Sequence, residues 1–503
     1  MAYNIIVQLC ALGGIAILTL GIYRLYFSPL AKFPGPKLAA LTSAYEAFYD
    51  CFKGGGGRYH VEINRMHDKY GPIVRINPWE LHIRDPDWNE VYKITRRASK
   101  PMWYYQFLGT FGNTFTSVEA DVHRMRRDAI QPYFSPAAMA RHQPEVERLI
   151  GKLMGRLAAF KGKDEAVNLG DVFRCLATDV ATAFAFRTPF GHLDSEDFEH
   201  AGNMAVRQFG VLGLLNRHSG GRLLKVMALV PPGLARRLSP ASLGVAGFFK
   251  QLAVVIKNEL DSTPKSEDGE EAKTNIIQQI LTSNLPPEEK APWRVARECN
   301  SVTLAGTETT GSSLTVITFF LLSQPQKAAR LREEIRRQQE TLGRPPRYQE
   351  LKELPYLTGV VNEGLRLDGV SGRLPRYDPK QDMTYKGLVI PKGTVVSTTQ
   401  NDTNYSPDIF PEPHTFLPER WADEGDRKKL SKYLLPFGRG ARSCLGMEIA
   451  LMEIYLTLGR LFSPDAGFEM ELHETDHERD VALFHDYFSP FPKSKRGVRA
   501  FVR

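Results

Sequence analysis

Hydrophobic and polar positions along this chain fall into blocks of three kinds. The first is an unbroken apolar run, IIVQLCALGGIAILTLGIY, from Ile5 to Tyr23, with no charged residue and only Gln8, Thr19 and Tyr23 interrupting it. At helical rise such a run nearly spans a bilayer core, which needs roughly 20 residues. No basic residue precedes it, whereas Arg24, Lys32 and Lys37 follow. That asymmetry predicts a retained anchor, not a cleaved signal, with the rest of the chain cytosolic. The prolines of FSPLAKFPGPK then stiffen the exit from the membrane.

The second kind is helical periodicity, which dominates from about residue 120 to 340. Its longest piece runs from Pro292 to Ser323 and is stopped by Pro325. The third is strand-like alternation, in IVRINPWELHIRDPD (73–87) and in MTYKGLVIPKGTVVSTT (383–399), which reads as a hairpin. GGGG at 54–57 marks a flexible loop, since no Lys-Ser/Thr follows to make a phosphate cradle. The polar stretch 261–275 reads as an exposed connection. These blocks predict a mostly α chain with a minor β-sheet region: an anchor over 1–25, a proline- and glycine-rich hinge and linker over 26–60, and one domain over 61–503.

Charge changes this picture little. The net charge of +8 is scattered, and no finger, recognition helix or interleaved aromatic-basic motif accompanies it, so no nucleic-acid partner is expected. The five cysteines (Cys10, Cys51, Cys175, Cys299, Cys444) lie far apart, which excludes a disulfide framework and a close-spaced zinc motif.

Chemistry gathers at FGRGARSCLG, residues 437–446. A disulfide or zinc role for Cys444 lacks partners. A Cys-His nucleophile and a single axial thiolate on haem iron remain. LGMEIALMEIYLTLGRLF after the cysteine is an amphipathic helix, whose unpaired N–H groups and dipole favour a thiolate at its start. Gly438, Gly440 and Gly446 let the backbone turn sharply and lie close to a flat ring. Phe437 can shield the sulfur, and Arg442 can pair with a propionate.

These ten residues match the Phe-x-x-Gly-x-Arg-x-Cys-x-Gly signature, and the chain thereby resembles the cytochrome P-450 superfamily, the haem-thiolate monooxygenases. The resemblance implies the cytochrome P-450 fold, haem b as cofactor and Cys444 as proximal iron ligand. It also implies electrons from NADPH through a separate flavoprotein reductase, because no flavin- or nucleotide-binding fingerprint occurs in the chain. Further landmarks follow in order. EGLR (363–366) resembles the family's Glu-x-x-Arg; with Arg420 of FLPERW, Glu363 and Arg366 would complete a buried structural triad. AGTETT (305–310) resembles the distal-helix motif, in which Thr309 holds dioxygen and water and Glu308 relays protons. HRMRR departs from the usual Trp-x-x-x-Arg: His123 replaces the tryptophan and Arg127 keeps the arginine, both expected at a haem propionate. Arg376 is expected as a further propionate partner, with Arg373 its rival.

YRLYFSPLAKFPGPKLAA and RRDAIQPYFSP look like filamentous-fungal enzymes of secondary metabolism, similar to trichothecene-type oxygenases. The resemblance implies small lipophilic substrates, terpenoid or polyketide-derived, O2 as co-substrate, and a single-pass location in the endoplasmic reticulum membrane. Aromatic-rich residues 101–115 fall where the family has its substrate-lining loop. A haem-thiolate isomerase or dehydratase acting without O2 is the alternative; it needs no proton relay, so Glu308 and Thr309 favour the monooxygenase.

Overall fold

The computed structural model describes residues 2–109, 111–227, 229–231, 233, 242–261, 275–368 and 372–503. Residues 262–274, most of the expected exposed connection, lie outside the described residues.

The apolar N-terminal run forms a helix over Ala2–Ile22, continued by one wide turn over Tyr23–Phe27. Tyr3–Phe27, 25 residues whose most apolar stretch has a mean hydropathy of 2.4 and is unburied, is long and apolar enough to cross a membrane. The segment expected as hinge and linker is different in its second part. Helices over Lys37–Leu41 and Ala44–Cys51 pack onto the domain, and Leu30, Phe33, Ala39, Glu46 and Asp50 are buried. Pro36 precedes the first of these short helices, and the apolar positions along the segment give it something to bury. Residues 28–36, and the glycine loop at 52–58 apart from one short turn over Lys53–Gly55, keep an irregular backbone.

The core is built around the long helix Pro292–Ser323, with the bounds its prolines predict. It packs most extensively against Leu169–Phe186, a helix apolar nearly all round and buried along almost its whole length. Pro355–Asp368 and Met447–Leu461 pack on its C-terminal half. Gly364 makes the first of these contacts possible, since a Cβ there would stand 2.1 Å from Cγ1 of Ile317.

The sheets are small and lie to one side. Ile73–Asn77 pairs antiparallel with Glu80–Ile83, which pairs parallel with Val395–Ser397. Met383–Tyr385 and Leu388–Ile390 form the expected hairpin, but Val395–Ser397 leaves it to join the other sheet. Arg376 is bridged to Val396 at that sheet's edge. A C-terminal hairpin, His485–Tyr487 with Ser489–Phe491, turns at Phe488.

Candidate active site

FGRGARSCLG forms a tight loop ahead of the helix Met447–Leu461. The backbone N–H of Cys444 donates to the carbonyl of Phe437 at 2.7 Å, closing it. Gly438 and Gly440 have φ of 69° and 75°, and a Cβ on Gly440 would meet the Tyr92 carbonyl at 2.0 Å. Gly446 differs from expectation: with φ of −85° it needs no glycine conformation and serves as the helix N-cap. Burial pushes the Cys444 thiol up, and the Gly446 N–H and the charge of Arg127 pull it down. Cys444 is exposed although it lies within this tight loop.

Ala305, in the middle of the long helix, is exposed although Thr303, Glu308 and Thr310 around it are buried. The Thr309 hydroxyl donates to the Ala305 carbonyl at 2.8 Å, which diverts one acceptor of the helix ladder. Glu308 points elsewhere. Its carboxylate accepts two hydrogen bonds from Arg174 of the neighbouring helix, at 2.8 and 2.7 Å.

Five basic side chains converge between the Cys444 loop and the sheet edge: Lys100, His123, Arg127, Arg376 and Arg442. Among the described residues none of them forms an ion pair with a carboxylate. Arg442 donates to the carbonyls of Ser117 and Val118 at 2.7 and 2.9 Å, and Arg127 to that of Ser443 at 2.7 Å. Arg376 donates to the hydroxyl of Tyr105. Lys100 lies 4.3 Å from the Tyr105 ring centre and 4.0 Å from that of Phe115. Burial and mutual repulsion lower each group they act on. Lys100 falls well below an ordinary lysine, Arg442 to about 9, and His123 to about 2 by burial and the four neighbouring cations. His123 is therefore a neutral imidazole, able to donate one N–H.

This donor set fits haem. Buried positive charge without a counter-charge is costly, and two propionates are the anions that would offset it. The two rival arginines differ in their partners. Arg373 is engaged by Glu80 at 2.9 Å and by Glu46, whereas Arg376 has no acidic partner among the described residues.

A family model for cytochrome P450 matches residues 46–484. The chain belongs to the cytochrome P450 family. Among similar proteins, "Cytochrome P450 monooxygenase MO6277" of Ascocoryne sarcoides is 37% identical over 525 residues, covering 100% of both chains. "Cytochrome P450 monooxygenase sdnE" of Sordaria araneosa is 37% identical, covering 100% of this chain and 99% of its own. "Tryptophan 6-hydroxylase fscE" of Fusarium equiseti is 35% identical, covering 96% and 94%. This P450 is thus an oxidoreductase of the monooxygenase type, similar to fungal members, using haem iron and electrons from a redox partner.

The remaining motif of the P450 pattern is also assembled. Glu363 accepts from Arg366 at 3.0 and 2.7 Å and from Arg420 at 3.1 Å. Sequence reasoning missed Trp421, whose indole also donates to Glu363, along with Lys100, Arg174 and Asp368. Arg174 carried a readable signal, a lone arginine inside the apolar LGDVFRCLATDVATAFAF; Lys100 and Asp368 carried none.

Proposed function

We propose that this chain is a haem-thiolate monooxygenase that inserts one atom of O2 into a small lipophilic metabolite of terpenoid or polyketide origin. The observation that supports it best is one thiol at a helix start beside four cations, Lys100, Arg127, Arg376 and Arg442, that have no carboxylate partner among the described residues, with the neutral imidazole of His123 among them. Haem, when bound, supplies the iron at which dioxygen is activated. Cys444 is its ligand in this reading, and Lys100, His123, Arg127, Arg376 and Arg442 hold its propionates. Thr309 holds dioxygen and water through its hydroxyl. Glu308 moves protons toward Thr309, and to do so it must leave Arg174. The Glu363–Arg366–Arg420 cluster acts structurally, fixing the segment that leads into the Cys444 loop.

Phe107, Phe115 and Phe488 meet at centroid separations of 5.6 and 5.7 Å, an apolar group suited to a hydrocarbon skeleton. We place the anchor in the endoplasmic reticulum membrane and the domain on its cytosolic side, where an NADPH-dependent flavoprotein reductase supplies electrons. Lys428 and Lys429, on the short helix Glu424–Ser431 before the Cys444 loop, give that partner a basic landing surface. The test is incubation of microsomes holding the protein, reductase and NADPH with a panel of terpenes and polyketides under isotopically labelled O2. A product one labelled oxygen heavier supports the reading; rearranged or dehydrated products formed without O2 would support the isomerase alternative.

A further inference from the structure

As it stands, Glu308 accepts both Arg174 hydrogen bonds as a carboxylate and has no proton to pass on without breaking that pair. One turn further along the long helix lies a second carboxyl group. Ser312 and Ser313 place their hydroxyls on the two oxygens of Asp368, at 2.8 and 2.7 Å. Asp368 is the last residue of Pro355–Asp368, where the helix dipole disfavours a negative charge. Its hydrogen-bond partners are neutral.

The charges around it count the same way. Arg174 is the guanidinium of this cluster, and it faces Glu308, Asp171 and Asp368. Asp171 has its own partner at the surface, His200 at 2.7 Å. Tyr405 faces the same end and donates to the Leu367 carbonyl at 2.8 Å. Among the described residues, one guanidinium facing three carboxylates leaves an excess of negative charge, which a proton on Asp368 relieves. Burial lifts Asp368 to about 6, the two serines oppose the rise, and Glu308 adds to it.

Spacing connects this acid to the oxygen side. Ser312 is four residues beyond Glu308 and Ser313 four beyond Thr309, so each serine lies on the same helix face as its counterpart, with Cβ atoms about 5–6 Å apart. A serine can accept a proton on its oxygen while giving its own hydroxyl proton to an acceptor one turn up, directly or across one water.

We propose that Asp368 is a second buried acid of the reaction, storing a proton that Ser312 and Ser313 pass to the Glu308–Thr309 turn. This rests on the roles proposed above for Glu308 and Thr309. The balance is simple: one oxygen atom enters substrate, and the other takes two electrons from the reductase and two protons to become water. The Asp368 proton is one of these; the serine is unchanged after the transfer. The resulting carboxylate is held by both serines and by the charge of Arg174 until solvent recharges it.

Two measurements on the haem-loaded full chain test this. In infrared difference spectra of wild type minus Asp368→Asn, which cancel other protonated carboxyls such as Asp402, a C=O stretch should be present at pH 5, shift in D2O, and fade with a midpoint near 6. That component should be absent from Asp368→Asn and persist in Glu308→Gln. With reductase and NADPH but no substrate, Asp368→Asn should form water about tenfold more slowly, releasing hydrogen peroxide instead; the effect is below the full 10²–10⁴ of a positioned acid because Glu308 remains. The Ser312→Ala/Ser313→Ala double variant should keep the infrared band and show the same shift to peroxide, which settles the matter if Asp368→Asn does not fold. A band unchanged in Asp368→Asn, or unaltered peroxide yield in the double variant, overturns the inference. Thr309→Ala separates the two readings. If it raises peroxide and the Asp368 and serine variants do not, this inference alone falls; if it has no effect, the oxygen-site reading falls and this one with it.

Discussion

Trp421 donates its indole N–H to Glu363 at 2.9 Å, on the carboxylate oxygen that also accepts the Arg366 Nε hydrogen at 3.0 Å. With Leu417 N–H and Arg420 on the other oxygen, Glu363 is saturated by donors from two segments far apart in sequence. Trp421→Phe keeps the ring and removes one donor, so we expect a loss of about 1–3 kcal/mol. Glu363→Ala strands two buried guanidiniums and should cost about 3–5 kcal/mol. Denaturation midpoints and haem content check both, and a fully haem-loaded Glu363→Ala protein of wild-type stability would sink the structural role.

Cys444→Ala should abolish the red-shifted Soret band that the reduced wild-type protein shows with CO. Cys444→Ser should not restore it, because a hydroxyl is far harder to ionise than a thiol. Persistence of the band in either variant would assign the ligand elsewhere.

How much of this was readable before the structure follows from what each feature depends on. The long helix was legible because its limits are local, a proline at each end of a periodic run. The Cys444 loop was legible because a tight turn, a thiol and a helix start all lie within ten residues. The triad was legible only by resemblance, since Arg420 is remote from Glu363 in the chain. Lys100 and Asp368 were not legible at all: Lys100 matters through burial beside Arg376 and Arg442, and Asp368 through two serines 55 and 56 residues away. Residues 37–51 depart from the expected linker because they form short helices whose apolar positions pack on the domain.

Lys100→Met should act with opposite signs on the two forms of the protein. Without haem, it removes a buried cation that Arg376 and Arg442 repel, so the apoprotein should unfold at higher denaturant. With haem, it removes a partner of the propionates, and haem should transfer to apomyoglobin about tenfold faster, a difference of about 1.4 kcal/mol. Parallel changes in both forms would mean that Lys100 serves packing alone.

Truncation should reveal where the anchor ends. Deleting residues 2–22 removes only exposed apolar surface, so the protein should shift toward the soluble fraction and still bind CO. Residues beyond are tied to the domain: Arg24 donates to the Leu41 carbonyl at 2.5 Å, and its own carbonyl accepts from Arg75 at 2.7 Å. Deleting 2–36 also removes buried Leu30 and Phe33, at about 1.5–3 kcal/mol each. The shorter truncation should match the full chain in stability and the longer should not; equal stabilities would move the boundary past residue 36.

Asp402 should set part of the pH dependence of stability. Its Oδ2 has no hydrogen-bond partner among the described residues and stands 3.7 Å from Nε2 of His82. That nitrogen is taken up by the Thr399 hydroxyl at 2.9 Å, while Nδ1 of His82 meets His67 at 2.7 Å. Burial holds His82 far below the usual histidine range, so it offers Asp402 no positive charge, and burial raises Asp402 to about 7. An acid whose pKa is higher folded than unfolded binds more protons in the folded state, so stability falls as pH rises between its two pKa values, here about 4 and 7. Asp402→Asn keeps the shape and cannot ionise. It should flatten that fall and at pH 8 be more stable than wild type by on the order of 2–4 kcal/mol. Urea midpoints at half-unit pH steps from 5 to 8 provide the check; wild-type and variant curves that run parallel would show that Asp402 is ionised in the folded protein throughout.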